Sequence, residues 1–155
     1  MGKLKQDIIN VEFIWLKHGE GLPKPEQQSL GAAGLDICAA NKKNHDIVIS
    51  AKKYEIIPSG FSIALPIGYE AQIRPRSGLA AKYGVTVLNS PGTIDADYRG
   101  EIKIILINHG EDDFIIKRGD RIAQMLIAPV SEVCLELKVQ LSDTKRGQGG
   151  FGSTG

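Results

Sequence analysis

The chain has 155 residues, of which 42% are hydrophobic and 24% are charged, a composition that suits one globular domain and leaves little room for a second. Its 19 basic and 18 acidic residues give a formal net charge of +1, which excludes a global basic field of the kind that drives non-specific nucleic-acid binding. We therefore expect any anion to be bound at a local site, with no direct nucleic-acid partner.

Short β-branched runs separated by Gly, Pro, Asn or Asp dominate the sequence, which predicts many short strands. Strict alternation of apolar and polar residues predicts strands with one polar face at 69–74 and 133–140. The other predicted strands, in chain order, are 11–16, 47–49, 54–57, 61–65, 102–107 and 122–127. Many short strands predict an all-β sandwich, jelly roll or barrel.

A single helix and a hairpin are predicted in the middle of the chain. Residues 77–83 favour a short helix, with Ser77 as its N-cap and Gly84 as its stop. Residues 84–100 predict a β-hairpin in which Ser90-Pro91-Gly92 turns the chain.

The later part of the chain contains one unusually apolar strand and a glycine-rich tail. Strand 102–107 is apolar on both faces except at Lys103, so it is expected to be central in a sheet or covered by another subunit. Residues 142–155 have no periodicity and are expected to be mobile unless something orders them.

The chain shows no sign of a membrane segment, a disulfide framework or a zinc site. No apolar run approaches the roughly 18 residues of a membrane span, and the N-terminus MGKLKQDIIN does not have the pattern of a signal peptide. Cys38 and Cys134 are interpreted as free thiols that are buried or half-buried. His18, His45 and His109 have no zinc-ligand spacing and are assigned to surface loops. We expect a cytoplasmic protein with no membrane partner.

Three segments carry charged or polar residues suited to a site for phosphate and its counterions. Arg76 and Ser77 open the predicted helix, where free N–H groups and a guanidinium can bind phosphate oxygens. Alternatively, Ser77 is a plain N-cap and Arg76 a solvated charge. Asp36 lies among small and apolar residues and needs backbone amides, a cation or metal-bound water as partners. Gln124 either forms hydrogen bonds in the core or reaches a ligand.

Two further segments carry a candidate base and a candidate nucleotide clasp. A carboxylate such as Asp95 beside bound phosphates can orient a water and accept its proton. Asp95 and Asp97 are equally suited to bind their own backbone in a loop. In the tail, Arg146 can bind phosphate oxygens and Phe151 can cover a flat ring. The alternative is a low-complexity terminus without function.

Five motifs together resemble, in order and spacing, those of the trimeric dUTP pyrophosphatase family. They are AGLDICA (33–39), PRSGLA (75–80), GTIDADYRG (92–100), RGDRIAQ (118–124) and RGQGGFGSTG (146–155). The resemblance implies a distorted jelly-roll homotrimer whose active sites are each built from three subunits. It also implies a β domain over residues 1–141 and a flexible lid over 142–155.

The resemblance implies hydrolysis of dUTP to dUMP and pyrophosphate with Mg²⁺, which supplies dUMP for thymidylate synthesis and keeps uracil out of DNA. Asp95 would activate the water that attacks the α-phosphorus, and Asp36 would hold Mg²⁺ through water, the ion resting mainly on the triphosphate. Tyr98 would be the sugar platform that rejects a ribose 2′-hydroxyl. The other implied substrate contacts are Arg76, Ser77, Gly78, Asn89, Thr93, Ile94, Lys103, Gln124, Arg146, Phe151, Gly152, Ser153 and Thr154.

Two other functions remain open at this point. A dCTP deaminase or a bifunctional deaminase-pyrophosphatase resembles the same fold and shares parts of the hairpin and phosphate motifs, but those enzymes do not have the Phe-containing tail. A non-enzymatic nucleotide sensor would be expected to have lost the base, whereas Asp95 is present.

Overall fold

The computed structural model describes residues 8–152, over which the chain forms eleven β-strands and one short α-helix. The strands are β1 (Glu12–Trp15), β2 (Leu35–Cys38), β3 (Ile47–Ile49), β4 (Tyr54–Pro58), β5 (Phe61–Ala64), β6 (Tyr69–Arg74), β7 (Val85–Val87), β8 (Gly92–Ile94), β9 (Lys103–Asn108), β10 (Phe114–Ile116) and β11 (Arg121–Pro129). Helix α1 (Ser77–Tyr83) lies between β6 and β7. No helix in this range is long and apolar enough to cross a membrane.

The strands pair antiparallel in four sheets whose order departs from the order along the chain. The largest sheet has the order β2-β11-β6-β8, and a second has the order β4-β9-β7. Two small sheets pair β1 with β5 and β10 with β3. This architecture confirms the predicted all-β class with one short helix.

The core is aliphatic, with one aromatic cluster at its edge. Phe61 of β5 is 1% exposed, and its ring stacks on Phe13 of β1 with 5.1 Å between centroids. The Trp15 ring meets Phe13 edge-on at 4.9 Å. Because Phe13 and Trp15 lie on β1 and Phe61 on β5, the cluster joins the two strands through their side chains as well as through their backbones.

Strand β9 confirms the expectation that residues 102–107 are central. It lies between β4 and β7, and Ile104 and Leu106 on its inner face are each 1% exposed. On its outer face, Ile105 is half-buried and lies opposite Ile56 of β4, which is 54% exposed. One chain therefore covers only the inner face of this sheet.

The predicted cap of the helix is wrong, whereas its stop is confirmed. Arg76 is the N-cap, with extended φ and ψ of −95° and 126°, and no side chain forms a capping hydrogen bond. Ser77 is the first helical residue because the extended backbone ends one residue earlier than the sequence indicated. Gly84 ends the helix in the left-handed region, with φ of 67°, a conformation that costs glycine little.

The predicted hairpin over residues 84–100 is also wrong. Strands β7 and β8 are both present, but β7 pairs with β9 and β8 pairs with β6. The four residues between Val87 and Gly92 therefore cross from one sheet to another. Turn residues at 90–92 indicate a change of direction but do not specify which strand is paired next.

Three strand predictions need correction. Residues 133–140 form no strand, and their apolar side chains are exposed, from 72% at Val133 to 108% at Val139. Alternation identifies an amphipathic segment, but a strand also needs a neighbouring strand, and within the described chain this segment has none. Strands β2 and β10 were not predicted. The division of the chain at residue 141 stays a prediction.

Replacement of Phe61 by alanine should destabilise the fold strongly. Truncating a buried aromatic side chain leaves a cavity, and we expect the free energy of unfolding to fall by about 3–5 kcal/mol. Urea unfolding at fixed protein concentration, followed by Trp15 fluorescence, measures the change. The matched control is Phe151→Ala, because Phe151 is fully exposed and its loss should leave the urea midpoint unchanged. Equal midpoints for the two variants would contradict the assigned core.

Candidate active site

Asp36 of β2 lies at the centre of a cluster of charges. Its Oδ2 atom is 3.2 Å from an Arg121 guanidinium nitrogen and 3.4 Å from one of Arg76, and its side chain is 15% exposed. Arg76 also donates to the main-chain oxygen of Arg121 at 2.9 Å. Of the partners expected for Asp36, the structure provides cations. Two guanidinium groups on one carboxylate leave one net positive charge at this place.

Gln124 lies beside this cluster rather than inside the core. It is half-buried on β11 opposite Asp36 and Arg74, and its Nε2 donates to the Pro75 carbonyl at 2.9 Å. A Cβ atom on Gly34 would come within 2.3 Å of Gln124 Oε1, so only glycine allows the side chain to lie there. The hydrogen bond ties β11 to the segment that leads into α1.

The structure brings together the residues of the first, second and fourth motifs. Asp36, Arg76 and Gln124 are linked by the contacts above, and Ser77 and Gly78 follow directly in the exposed first turn of α1. Arg121 also belongs to the cluster, although the sequence did not single it out. Its position next to Asp120 in RGDRIAQ was the available signal.

Cys38 lies at the edge of the cluster and stays protonated near neutral pH. Burial raises the pKa of this thiol above its ordinary 9.0, and the nearby Arg121 guanidinium only partly opposes that shift. A thiol with a raised pKa is a poor nucleophile, since the thiolate is the reactive form. Both cysteines are free, as predicted, but Cys134 is exposed and not buried or half-buried as expected, because its segment pairs with no strand within residues 8–152.

A second group of candidate residues lines a cleft of about 350 Å³ on another part of the surface. Its lining residues are Thr93, Ile94, Asp95, Tyr98, Glu101 and Lys103. Asp95 directly follows β8, its carboxylate belongs to an exposed residue, and its carbonyl accepts the Tyr98 N–H at 3.2 Å. The cleft therefore presents a free acid beside an aromatic ring.

The Tyr98 ring is held in a defined position. Its hydroxyl donates to the main-chain oxygen of Glu101 at 3.0 Å, and the side chain is 44% exposed. A Cβ atom on Gly100 would lie 2.4 Å from the Tyr98 hydroxyl oxygen, so the ring lies directly across Gly100. One face of the ring stays open to the cleft.

Asn89 and the tail residues lie outside both groups. Asn89 is exposed on the crossover between β7 and β8, and its Nδ2 is 3.3 Å from a Cβ built on Gly92. In the tail, Arg146 donates to the Gly149 carbonyl at 2.7 Å, and Phe151 is fully exposed. Gly152 follows with a φ of 87°. Ser153 and Thr154 lie outside the described residues.

The Asp36 cluster and the Asp95 cleft are far apart in one chain. Ile94 pairs with Ala71 on β6, and Asp95 is the next residue, whereas Arg76 lies five residues beyond Ala71 in the opposite direction. At about 3.3 Å per residue, Asp95 and Arg76 are roughly 15–20 Å apart. A base must come within about 3 Å of the water that it activates. Within one chain, the candidate base and the cationic cluster are therefore separated by several times that reach.

No group of three or more His, Cys, Asp or Glu side chains within residues 8–152 is arranged to hold a metal ion. The single half-buried carboxylate of Asp36 is already paired with two arginines. This donor set fits an ion that retains water and takes most of its ligands from a bound phosphate chain, as Mg²⁺ prefers. It does not fit an ion enclosed by protein ligands alone.

Comparison with known proteins shows the family of this chain. The family model described as dUTPase matches residues 21–155. The chain belongs to the dUTPase family. The deoxyuridine 5′-triphosphate nucleotidohydrolase of Rhizobium rhizogenes is 54% identical over 145 residues, which cover 94% of this chain and 93% of the relative. The resemblance inferred from the five motifs is confirmed, and neither match favours a deaminase.

Solved dUTPase structures share the fold. A mutant dUTPase of Staphylococcus bacteriophage 80alpha with dUpNHpp has a TM-score of 0.82 and 24% identity, covering 94% of this chain and 98% of that one. A mutant dUTPase from S. aureus phage phi11, with a structural Mg(II) ion, has a TM-score of 0.74 and 21% identity, covering 86% and 99%. At such identities the likeness to these dUTPases shows the fold.

Replacement of Gly34 by alanine should displace Gln124. The added Cβ would collide with the Gln124 side chain, and we expect a loss of about 1–3 kcal/mol in the free energy of unfolding from overpacking. The side-chain amide resonance of Gln124 should also shift in an NMR spectrum. Gly31→Ala is the control, since nothing lies within 4 Å of its Cβ position. An unmoved Gln124 resonance in Gly34→Ala would contradict the described packing.

Proposed function

We propose that this protein hydrolyses dUTP to dUMP and pyrophosphate, with Asp95 as the base. The observation that carries the proposal is the pair of complementary half-sites in one dUTPase-family chain. One half-site is a cationic cluster around Asp36, Arg76 and Gln124, which suits phosphates. The other is a cleft with a free acid at Asp95 and an aromatic ring at Tyr98, which suits a nucleoside and the attacking water.

In the proposed reaction, Asp95 accepts a proton from a water whose oxygen attacks the α-phosphorus. The bond from that phosphorus to the bridging oxygen breaks, and pyrophosphate leaves with the electron pair. Asp95 is exposed and forms no ion pair within the described chain, so its carboxylate is free to bind water. Mg²⁺, when bound to the triphosphate, supplies neutralising charge there, and Asp36 would hold it through water.

The phosphate contacts are proposed at the start of α1. Arg76 is held by Asp36 and by the Arg121 carbonyl, so its guanidinium is oriented before the anion arrives. Ser77 and Gly78 add a hydroxyl and backbone N–H groups in the exposed first turn. Gln124 completes this set from β11, where its amide already bonds the Pro75 carbonyl.

The cleft beside Asp95 is proposed to bind the nucleoside. Tyr98 would pack against the sugar where a ribose 2′-hydroxyl would otherwise lie, and Thr93, Ile94 and Lys103 line the same space. Asn89 and backbone groups of the crossover would read uracil. Cytosine reverses part of the donor and acceptor pattern of uracil, and the resulting unpaired groups can cost a factor of about 10⁴.

We infer that the working unit is a homotrimer with shared sites. Asp95 of one subunit and Arg76 of another must meet, since within one chain they are too far apart. The outer face of the β4-β9-β7 sheet is suited to burial between copies, because Tyr54 and Ile56 of β4 are more than half exposed opposite Ile107 and Ile105. The exposed amphipathic segment 133–140 would find its missing partner on a neighbouring subunit.

The tail is proposed to close over the bound nucleotide. Phe151 is fully exposed, and its ring would stack on uracil, with Gly152 beside it. Arg146, Ser153 and Thr154 would bind the γ-phosphate. Among residues 142–152 the hydrogen bonds are local, which suits a lid that is ordered by its ligand. The proposed reaction supplies dUMP and removes dUTP, and a cytoplasmic location stays a prediction.

The proposal is tested with wild type, Asp95→Asn and the control Asp97→Asn. Wild type should release pyrophosphate from dUTP in the presence of Mg²⁺. Asp95→Asn should retain nucleotide binding but lose most turnover, about 10²-fold or more, because an amide cannot accept the proton. Asp97 is a neighbouring exposed carboxylate outside the cleft, so its variant should keep near-normal turnover.

The substrate panel decides among the alternatives. Each deoxynucleoside triphosphate is incubated with the wild type, and both pyrophosphate and ammonia are assayed. Ammonia from dCTP would contradict the proposal in favour of a deaminase, and tight nucleotide binding without any release would favour a sensor. Full turnover by Asp95→Asn would remove that residue from the role of base.

Mixing two inactive variants should restore activity if sites are shared between subunits. Asp95→Asn retains its Arg76 half-site, and Arg76→Ala retains its Asp95 half-site. In randomly mixed trimers about a quarter of the sites should combine two intact halves. Co-expressed, differently tagged chains give such mixed trimers, and each variant alone is the control. Mixed trimers no more active than the single variants would contradict sharing.

A further inference from the structure

The position of Tyr98 depends on a main-chain oxygen that belongs to Glu101. The Tyr98 hydroxyl donates to that oxygen at 3.0 Å, and the ring lies across Gly100 without room for a Cβ between them. Any movement of the backbone at residues 100–101 would therefore move the ring. What holds Glu101 in place determines where Tyr98 lies.

The side chain of Glu101 is held by two partners on different segments. Its Oε1 accepts the Gly60 backbone N–H at 2.9 Å and contacts His18 Nε2 at 2.7 Å. The side chain is 12% exposed, and its contact with the Gly60 N–H is part-buried, so this hydrogen bond is stronger than one on an open surface. The contact with His18 is more exposed to solvent. Glu101 is thereby tied to the turn before β5 and to the loop after β1.

His18 is itself anchored. Its carbonyl accepts a hydrogen bond from Arg118 at 2.7 Å, and the same guanidinium donates to the carbonyl of Glu20 at 3.1 Å. The imidazole therefore projects from a fixed backbone toward Glu101, although its own side chain is 40% exposed. The loop after β1, far from Tyr98 in sequence, is joined to it through a single carboxylate.

We propose that Glu101 is a positioning residue for sugar selection, and that His18 assists it through the same carboxylate. Their contacts fix the carbonyl that accepts the Tyr98 hydroxyl, and so fix the ring face presented to the sugar. This inference rests on the proposed function, in which Tyr98 packs where a ribose 2′-hydroxyl would lie. Glu101 lines the cleft beside Tyr98, but its proposed role is to hold the main-chain oxygen that accepts the Tyr98 hydroxyl, and His18 acts only through Glu101.

Loss of the carboxylate contacts should relax selection against UTP more than it slows dUTP hydrolysis. A ring displaced by a fraction of an ångström still leaves Asp95 in place, but it admits an extra hydroxyl. For Glu101→Ala and His18→Ala, we expect the ratio of kcat/KM for dUTP to that for UTP to fall by about ten- to a hundredfold. Steady-state kinetics on both nucleotides measure the ratio, and kcat for dUTP should change less.

The variant Glu101→Gln tests whether the hydrogen bonds of this side chain, and not its charge, hold Tyr98 in position. In Glu101→Gln the amide oxygen can still accept from both Gly60 and His18, so selectivity should be largely retained. The matched controls are His45→Ala and Glu111→Ala, an exposed histidine and an exposed carboxylate outside both half-sites. Both should keep the wild-type ratio and the wild-type melting temperature.

Each outcome decides the proposal. If Glu101→Ala does not fold, His18→Ala gives the same comparison with the Gly60 contact intact. Unchanged selectivity in every folded Glu101 and His18 variant would overturn the positioning role while leaving the proposed reaction standing. A fall in activity with dUTP and UTP alike would also overturn it, because that pattern indicates a purely structural role. A wild type that does not hydrolyse dUTP would overturn both proposals.

Discussion

Strand β6 pairs with β11 on one side and with β8 on the other, and this double pairing fixes where both half-sites lie. Near its Arg74 end, β11 brings Gln124 alongside, and the pairing of β11 with β2 adds Asp36. Toward its other end, β8 pairs with Ala71 and delivers Asp95. The ladders of backbone hydrogen bonds thus place the anion-binding residues and the free acid at opposite ends of one strand. This register is the observation on which the proposal of shared sites rests, because it separates the two groups within one chain.

Charge in the chain is organised locally rather than globally. A net charge of +1 gives no long-range attraction for a polyanion, so positive charge can act only where it is concentrated locally, as it is around Asp36. There, the carboxylate orients Arg76 and Arg121 and removes part of their charge, which limits repulsion between the two guanidinium groups. The two guanidinium groups are therefore held in place before any ligand binds, and the cluster keeps a net positive charge. A polyanion with its own Mg²⁺ suits such a cluster better than a bare one with no counterion.

The sequence predicted most of the strands whose apolar residues face the core of the chain itself, but it missed β2 and β10, whose Ile37 and Ile116 are fully buried there. Ile47–Ile49 and Tyr54–Pro58 pair within the chain and were recognised, whereas 133–140 has the clearest alternation and forms no strand. Alternation indicates which side chains can form an apolar face. It does not indicate which segment, in the same chain or in another, will cover that face. The hairpin over residues 84–100 was wrongly predicted for a similar reason. The turn residues at 90–92 indicate a turn, but they do not indicate that β7 and β8 pair with strands of different sheets.

For the site, the motifs named residues that the structure brings together around Asp36 and around Asp95, but they did not reveal the residues that orient them, and Asn89 and the tail lie outside both groups. Arg121, His18 and Glu101 carry the contacts that orient Arg76 and Tyr98, and their partners are distant in sequence. A pattern of neighbouring residues cannot reveal a contact such as that between His18 and Glu101, which joins two loops only after β1 and β5 have paired.

Two glycines show how the motifs combine chemistry with packing. Gly34 precedes Asp36 and leaves the space that Gln124 occupies, while Gly100 follows Tyr98 and lies under its ring. Both glycines are needed for packing, because each leaves room for a neighbouring side chain to lie close to the backbone. Gly34 and Gln124 lie on different segments of the chain, whereas Gly100 and Tyr98 belong to the same loop between β8 and β9. The geometry of the site therefore depends on the same close packing that holds the sheets together, and it cannot be adjusted separately from the fold.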